Sequence, residues 1–176
     1  MFEAVETLRY GLLAIVLAVA VVVDLRRHRI PNALTLAAAV AALAVQLGHA
    51  GLAGLGDGVA GLGVGLAAFL PLYFFGGMGA GDVKLMAAVG AFLGCKLALL
   101  AAALTLMVGG VLGLALLLSC RTLKRVMPHN LDALHFLSIS RIPSAAGTQP
   151  IKSLIAFPYA LAIAVGTLGA VAWPLV

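Results

Sequence analysis

Long apolar runs, one after another and parted only by short polar breaks, constrain this chain more than any motif in it. Six can be traced, at about residues 10–23, 33–47, 59–75, 83–93, 97–119 and 154–173. Backbone in hydrocarbon must satisfy its own hydrogen bonds, so runs of this kind are helices. Only 10% of the 176 residues are charged and 64% are hydrophobic, whereas a soluble domain carries about 25% charge. Such a chain cannot cover a water-facing surface. The expectation is an all-α, polytopic membrane protein with about six transmembrane helices in one membrane-embedded domain, residues 1–176. The shortest run, 83–93, is expected to extend into the Gly94-Cys95-Lys96 turn or to thin the bilayer locally.

The charges then orient the spans. Alternating crossings put Arg26, Arg27, Arg29, Lys84, Arg121, Lys124, Arg125, Arg141 and Lys152 on one side, and only Arg9 and Lys96 on the other. The first side is cytoplasmic by the positive-inside rule, which leaves both termini outside. The formal charge of +5 therefore reads as topology. No basic run with interleaved aromatics points to nucleic acid. Glu3 and Glu6 precede the first run, the reverse of a cleavable signal peptide, so an uncleaved first helix is expected.

Several features carry structure rather than chemistry. Cys95 and Cys120 form no CxxC and fall on opposite sides, which excludes a disulfide between them. Gly54/Gly58, Gly61/Gly65 and Gly109/Gly113 stand four apart, a spacing that lets helices approach closely in lipid. Tight internal packing is the expected use and a homodimer the alternative. Tyr10 and Trp173 lie where interfacial rings are favoured. The basic loop at 120–153 has room for a short amphipathic helix at 131–139. Its His129 and His135 do not share a helix face, so no metal site is expected.

Three polar breaks remain, all on the cytoplasmic side by the charge argument. One runs from Asp24 through Ile30-Pro31-Asn32. The second is Gly76-Gly-Met-Gly-Ala-Gly-Asp-Val-Lys84, and the third is Phe157-Pro158-Tyr159. Glycines at this density do not hold a helix, and they leave backbone open to main-chain recognition of an extended peptide. A carboxylate at the end of an apolar run is costly unless paired or wet. Alone, Asp24 reads as a partner of Arg27 or His28, and Asp82 as a helix cap beside Lys84. At one depth they also suit a shared site. Two such carboxylates cannot both ionise cheaply, so one keeps a proton and the pair can work as base and acid together.

The run Gly79-Ala80-Gly81-Asp82-Val83-Lys84 resembles the GxGDxK motif of the type IV prepilin peptidases. Asp24 with Ile30-Pro31-Asn32 resembles that family's first aspartate and the IPN element after it, and Phe157-Pro158-Tyr159 its last helix start. The resemblance implies a membrane aspartyl endopeptidase of the bacterial inner membrane. It removes the short basic leader of prepilins or pseudopilins at the cytoplasmic face. Asp24 and Asp82 match the catalytic pair. Gly79, Gly81, Lys84, Pro31, Asn32 and Pro158 match substrate-binding or supporting positions. No cofactor or metal is implied. Longer members carry a four-cysteine insert linked to N-methylation. This chain lacks it and is similar to the short, peptidase-only form of tight-adherence pilus systems. Two other readings stay open: a small transporter or channel-like subunit, and a non-enzymatic assembly component of a pilus machine.

Overall fold

A computed structural model describes residues 2–27, 30–75, 77–118 and 159–173. Every regular element in them is a helix: α1 (Phe2–Arg27), α2 (Asn32–Phe74), α3 (Ala80–Leu93), α4 (Cys95–Leu118) and α5 (Tyr159–Ala172). Three of these, α1, α2 and α4, are long and apolar enough to cross a membrane by length and composition. Residues up to Gly109, with α5, make one compact unit; α4 beyond Gly109 belongs to another. The expected features of the 120–153 loop, Cys120 and Pro158 lie outside the described residues.

Local chemistry accounts for the helix ends. α1 has Glu3 in its first turn and Arg26 and Arg27 in its last, the arrangement its dipole favours. Pro31 disfavours helical backbone in the residue before it. It takes φ −63° and ψ 136° as the N-cap of α2, and its carbonyl accepts the N–H groups of Leu34 and Thr35.

The second and third apolar runs are one assigned helix of 43 residues, interrupted at Ala50 (φ −133°, ψ 23°) and Gly51 (φ 60°, ψ −141°). Glycine suits that positive φ. The chain folds back there: Gly54 comes against the Gln46 carbonyl, and Gly58 against the side chains of Leu43 and Gln46. The halves are called α2a (32–49) and α2b (52–74).

α3 is the hub. All its side chains from Asp82 to Leu93 are buried except Lys84. It packs chiefly on α2 and also meets α1 and α5. On α2b the buried stripe is Gly54, Gly58, Gly61, Gly65 and Phe69. A Cβ on Gly61 would collide with the Gly90 carbonyl, one on Gly90 with the Gly61 carbonyl, and one on Gly65 with the Met86 carbonyl. Helix backbone thus lies directly on helix backbone. The expected close packing holds for these glycines. Gly113, in contrast, has nothing within 4 Å.

The expected extension of the fourth run into Gly94-Cys95-Lys96 is not made. α3 stops at Leu93, Gly94 adopts φ 79° and ψ 175°, and α4 starts at Cys95. Gly94 is confined to glycine by its positive φ and by the Asp57 carboxylate, which sits where a Cβ would be. At 14 residues α3 rises about 21 Å, short of a hydrocarbon core of about 30 Å. Wrapped by its neighbours, it meets protein where a lipid-facing helix would need length.

Two glycines two residues apart separate these effects. Gly61→Ala should destabilise the protein by roughly 1–3 kcal/mol through overpacking, read as a lower melting temperature in detergent. Gly63→Ala, with nothing within 4 Å, should be neutral or stabilise by up to about 1 kcal/mol from helix propensity.

Candidate active site

Asp24 lies in the last turn of α1 and Asp82 in the first turn of α3. Both are buried, at 7% and 9% exposure, and their charges act on one another. The buried residues of α1 are Arg9, Leu13, Leu17, Ala20 and Asp24. That is a single stripe at helical spacing, so the fold that buries Leu17 and Ala20 also turns Asp24 inward.

The glycine run before Asp82 ends sooner than its composition suggests. Helix begins at Ala80, with Gly79 as N-cap at φ −81° and ψ 152°. The Gly79 N–H donates to Asp82 Oδ2 at 3.1 Å. This is the backward reach of an acidic residue at the third helical position, which satisfies a backbone donor and places charge at the positive end of the helix. The capping role read for Asp82 is therefore real, and it orients a carboxylate that also feels the charge of Asp24.

The IPN element and the glycine motif are built into each other. A Cβ on Gly81 would stand 3.1 Å from Ile30 Cβ and 3.5 Å from the Ile30 backbone, so glycine lets the two segments touch. Lys84 Nζ donates to Asn32 Oδ1 at 2.9 Å. Lys84 thereby ties α3 to the start of α2. Pro31 is exposed and acts through the cap. Tyr159, first residue of α5, is half-buried and close enough to feel the Asp82 charge. Residues from all three polar breaks are therefore linked: Gly79, Asp24 and Tyr159 act on Asp82 itself, while Ile30 lies against Gly81 and Asn32 bonds Lys84. A groove of about 330 Å³ opens beside the Asn32–Lys84 bond. Leu36, Ala39, Leu66, Ala87 and Ala88 make it mostly apolar.

At the other end of α3, sequence reasoning read Arg9 only as an outer-side charge and assigned no role to Gln46 or Asp57. Arg9 Nη2 donates to the Leu93 carbonyl at 2.8 Å. Gln46 Nε2 lies 3.4 Å from each of the Ala91 and Phe92 carbonyls. Asp57 Oδ1 accepts the Cys95 N–H at 3.0 Å. The available signal was a lone Gln and a lone Asp within otherwise apolar helices, where an unsatisfied polar group is costly. Among the described residues, no group of three or more His, Cys, Asp or Glu is placed to hold a metal.

These features define a helical protein with two buried carboxylates near the ends of four helices, α1, α2, α3 and α5. Comparison with known families matches residues 11–114 to the type IV leader peptidase family, and the chain belongs to that family. Neither the curated proteins nor the solved structures gave a match. Membership makes the molecule a peptidase by descent, and the matched stretch holds Asp24, the IPN element and the whole glycine motif.

The Asn32–Lys84 tether is exposed, so its contribution to stability should be small. A double-mutant cycle with Asn32→Ala and Lys84→Ala, read by melting temperature, should give a coupling of about 0.5–1.5 kcal/mol. A coupling near zero would show that the bond does not join the two segments.

Proposed function

We propose that this chain is an aspartic leader peptidase of the bacterial inner membrane, with Asp24 and Asp82 as its catalytic pair. It cleaves the basic leader from prepilin-like substrates at the cytoplasmic face. What supports this reading is that two carboxylates from different helices are both buried and near enough for their charges to interact, inside the stretch that matches the leader peptidase family. The six-span arrangement, outside termini and cytoplasmic site belong to the same proposal and rest on the Lys/Arg asymmetry. Arg9 bonding to the carbonyl that precedes the Gly94-Cys95-Lys96 turn agrees with Arg9 and Lys96 sharing one end of the bundle.

The chemistry follows from the pair. One carboxylate is ionised and one protonated, because two negative charges in a desolvated site repel. The ionised partner takes a proton from water as the water oxygen attacks the scissile carbonyl, and the protonated partner hydrogen-bonds the carbonyl oxygen. Collapse of the tetrahedral intermediate breaks the C–N bond as the nitrogen receives a proton. Gly79 leaves room for the Asp82 carboxylate and Gly81 for Ile30, and the Asn32–Lys84 tether holds the IPN element in place. Pro158 is proposed as support at the start of the last span. Without a four-cysteine insert, the product keeps an unmethylated amino terminus.

Asp24→Asn and Asp82→Asn should each abolish cleavage of a prepilin while the protein still inserts, and the double variant should be no worse than either, since the two act as a unit. Sequencing of the product N-terminus reads this out; near-normal cleavage by Asp24→Asn would sink the pair. For topology, Asn32→Cys and Thr148→Cys in a chain lacking its native cysteines should resist an impermeant thiol reagent in intact cells. Labelling of either from outside would overturn the cytoplasmic site.

A further inference from the structure

Arg9 is a charged group buried at 8% exposure, and the proposed chemistry does not use it. It opens the buried stripe of α1 that ends at Asp24. Its guanidinium reaches Leu93, the last residue of α3, the helix that starts the other carboxylate. From Arg9 to Asp24 α1 rises about 22 Å, and from Asp82 to Leu93 α3 rises about 16 Å, at 1.5 Å per residue. The two helices are antiparallel and matched to about one turn. Polar groups mark both ends: at one the two carboxylates feel each other's charge, and at the other arginine bonds a carbonyl. Between them α1 buries Leu13, Leu17 and Ala20 and packs Tyr10, Leu12, Val16 and Val21 against the same core, apolar contacts that are not directional.

We propose that Arg9 is a positioning residue that sets the register of α1 against α3 and thereby the separation of Asp24 and Asp82. The proposal rests on the reading of those aspartates as the catalytic pair. A helix leaves its last four carbonyls without intrahelical partners. In α3 the Gly94 N–H takes the Gly90 carbonyl, Gln46 takes those of Ala91 and Phe92, and Arg9 takes that of Leu93. Gln46 fixes α3 to α2, whereas Arg9 is the group that fixes it to the helix bearing Asp24. A charge-assisted bond in low dielectric is directional and strong, so slippage of α1 by a turn would strand both the cation and the carbonyl.

The test separates register from chemistry. In the full-length chain with Cys95→Ser and Cys120→Ser, Asp24→Cys and Asp82→Cys are introduced together and joined in membranes by a short bifunctional thiol reagent. A second pair, Asn32→Cys with Lys84→Cys, reports α2 against α3. Adding Arg9→Met should reduce the first cross-link to background and leave the second unchanged, and Arg9→Lys, which keeps charge and donor, should restore much of the first. In the enzyme with its aspartates intact, Arg9→Met should lower kcat by at least roughly 10²-fold, since a displacement of only about 1 Å already costs that much, with KM nearly unchanged. An unaltered first cross-link overturns the proposal, as does a parallel loss of both, which would mean a general role in stability. Loss of the first cross-link alone, in a protein whose Asp24→Asn variant still cleaves, would keep the register pin and discard the catalytic pair.

Discussion

Backbone against backbone is the contact on which the rest depends. Gly61 and Gly90 meet with no side chain between them, and Gly65 meets the Met86 carbonyl in the same way. In lipid, apolar side chains gain little by leaving one apolar medium for another, so helices associate through close packing and polar contacts. The α2b glycine stripe supplies the first. It draws α3 deep enough among its neighbours that almost every side chain on it is buried. That depth allows a 14-residue helix to exist in a chain of this composition, and it carries Asp82 away from the surface.

A helix enclosed in this way has a problem at each end, where backbone groups lack partners. At its start the solution is local, with Asp82 turned back to the Gly79 N–H. At its finish the solution is long-range, with Arg9 and Gln46 brought from α1 and α2a to the last carbonyls, and Asp57 from α2b to the first N–H of α4. The same carboxylate that closes the start of α3 also feels the charge of Asp24 from α1. The hydrogen bond that the backbone requires thus fixes the carboxylate to which the proposed chemistry assigns a role. Orientation of this kind, fixed before substrate arrives, is what raises effective concentration at a reacting bond.

The residues most legible in sequence were those whose meaning is local. Pro31 had to end one helix and begin another. The glycines before Asp82 had to loosen the chain, and charge had to appear where apolar runs stop. Asp24, Asn32 and Lys84 could be singled out because they interrupt such runs. Their meeting could not be derived locally: that Lys84 bonds Asn32 and that Gly81 receives Ile30 are facts about segments about fifty positions apart. Arg9 was read as a topological charge because counting rules see sign and side, not the carbonyl 84 positions away that the side chain reaches. Gln46 and Asp57 stayed silent for the same reason. The expected extension of the short fourth run into Gly94-Cys95-Lys96 failed because length rules assume lipid contact, and the side chains of α3 are buried in protein instead.

Gly79 and Gly81 show why a motif of two glycines has two different causes. Gly79 sits in extended backbone that any residue adopts, and a Cβ there would approach Asp82 Oδ2 at 3.2 Å. Its constraint comes from the carboxylate. Gly81 is already helical, and its constraint is the wall made by Ile30. One glycine therefore guards the orientation of Asp82 and the other guards the distance between the helix that bears it and the segment leaving α1. Enlarging the first disturbs a hydrogen bond at the reacting group. Enlarging the second pushes two chain segments apart, and with them the two aspartates. The motif is a steric specification of where one carboxylate lies relative to the other, written from both sides of the same junction.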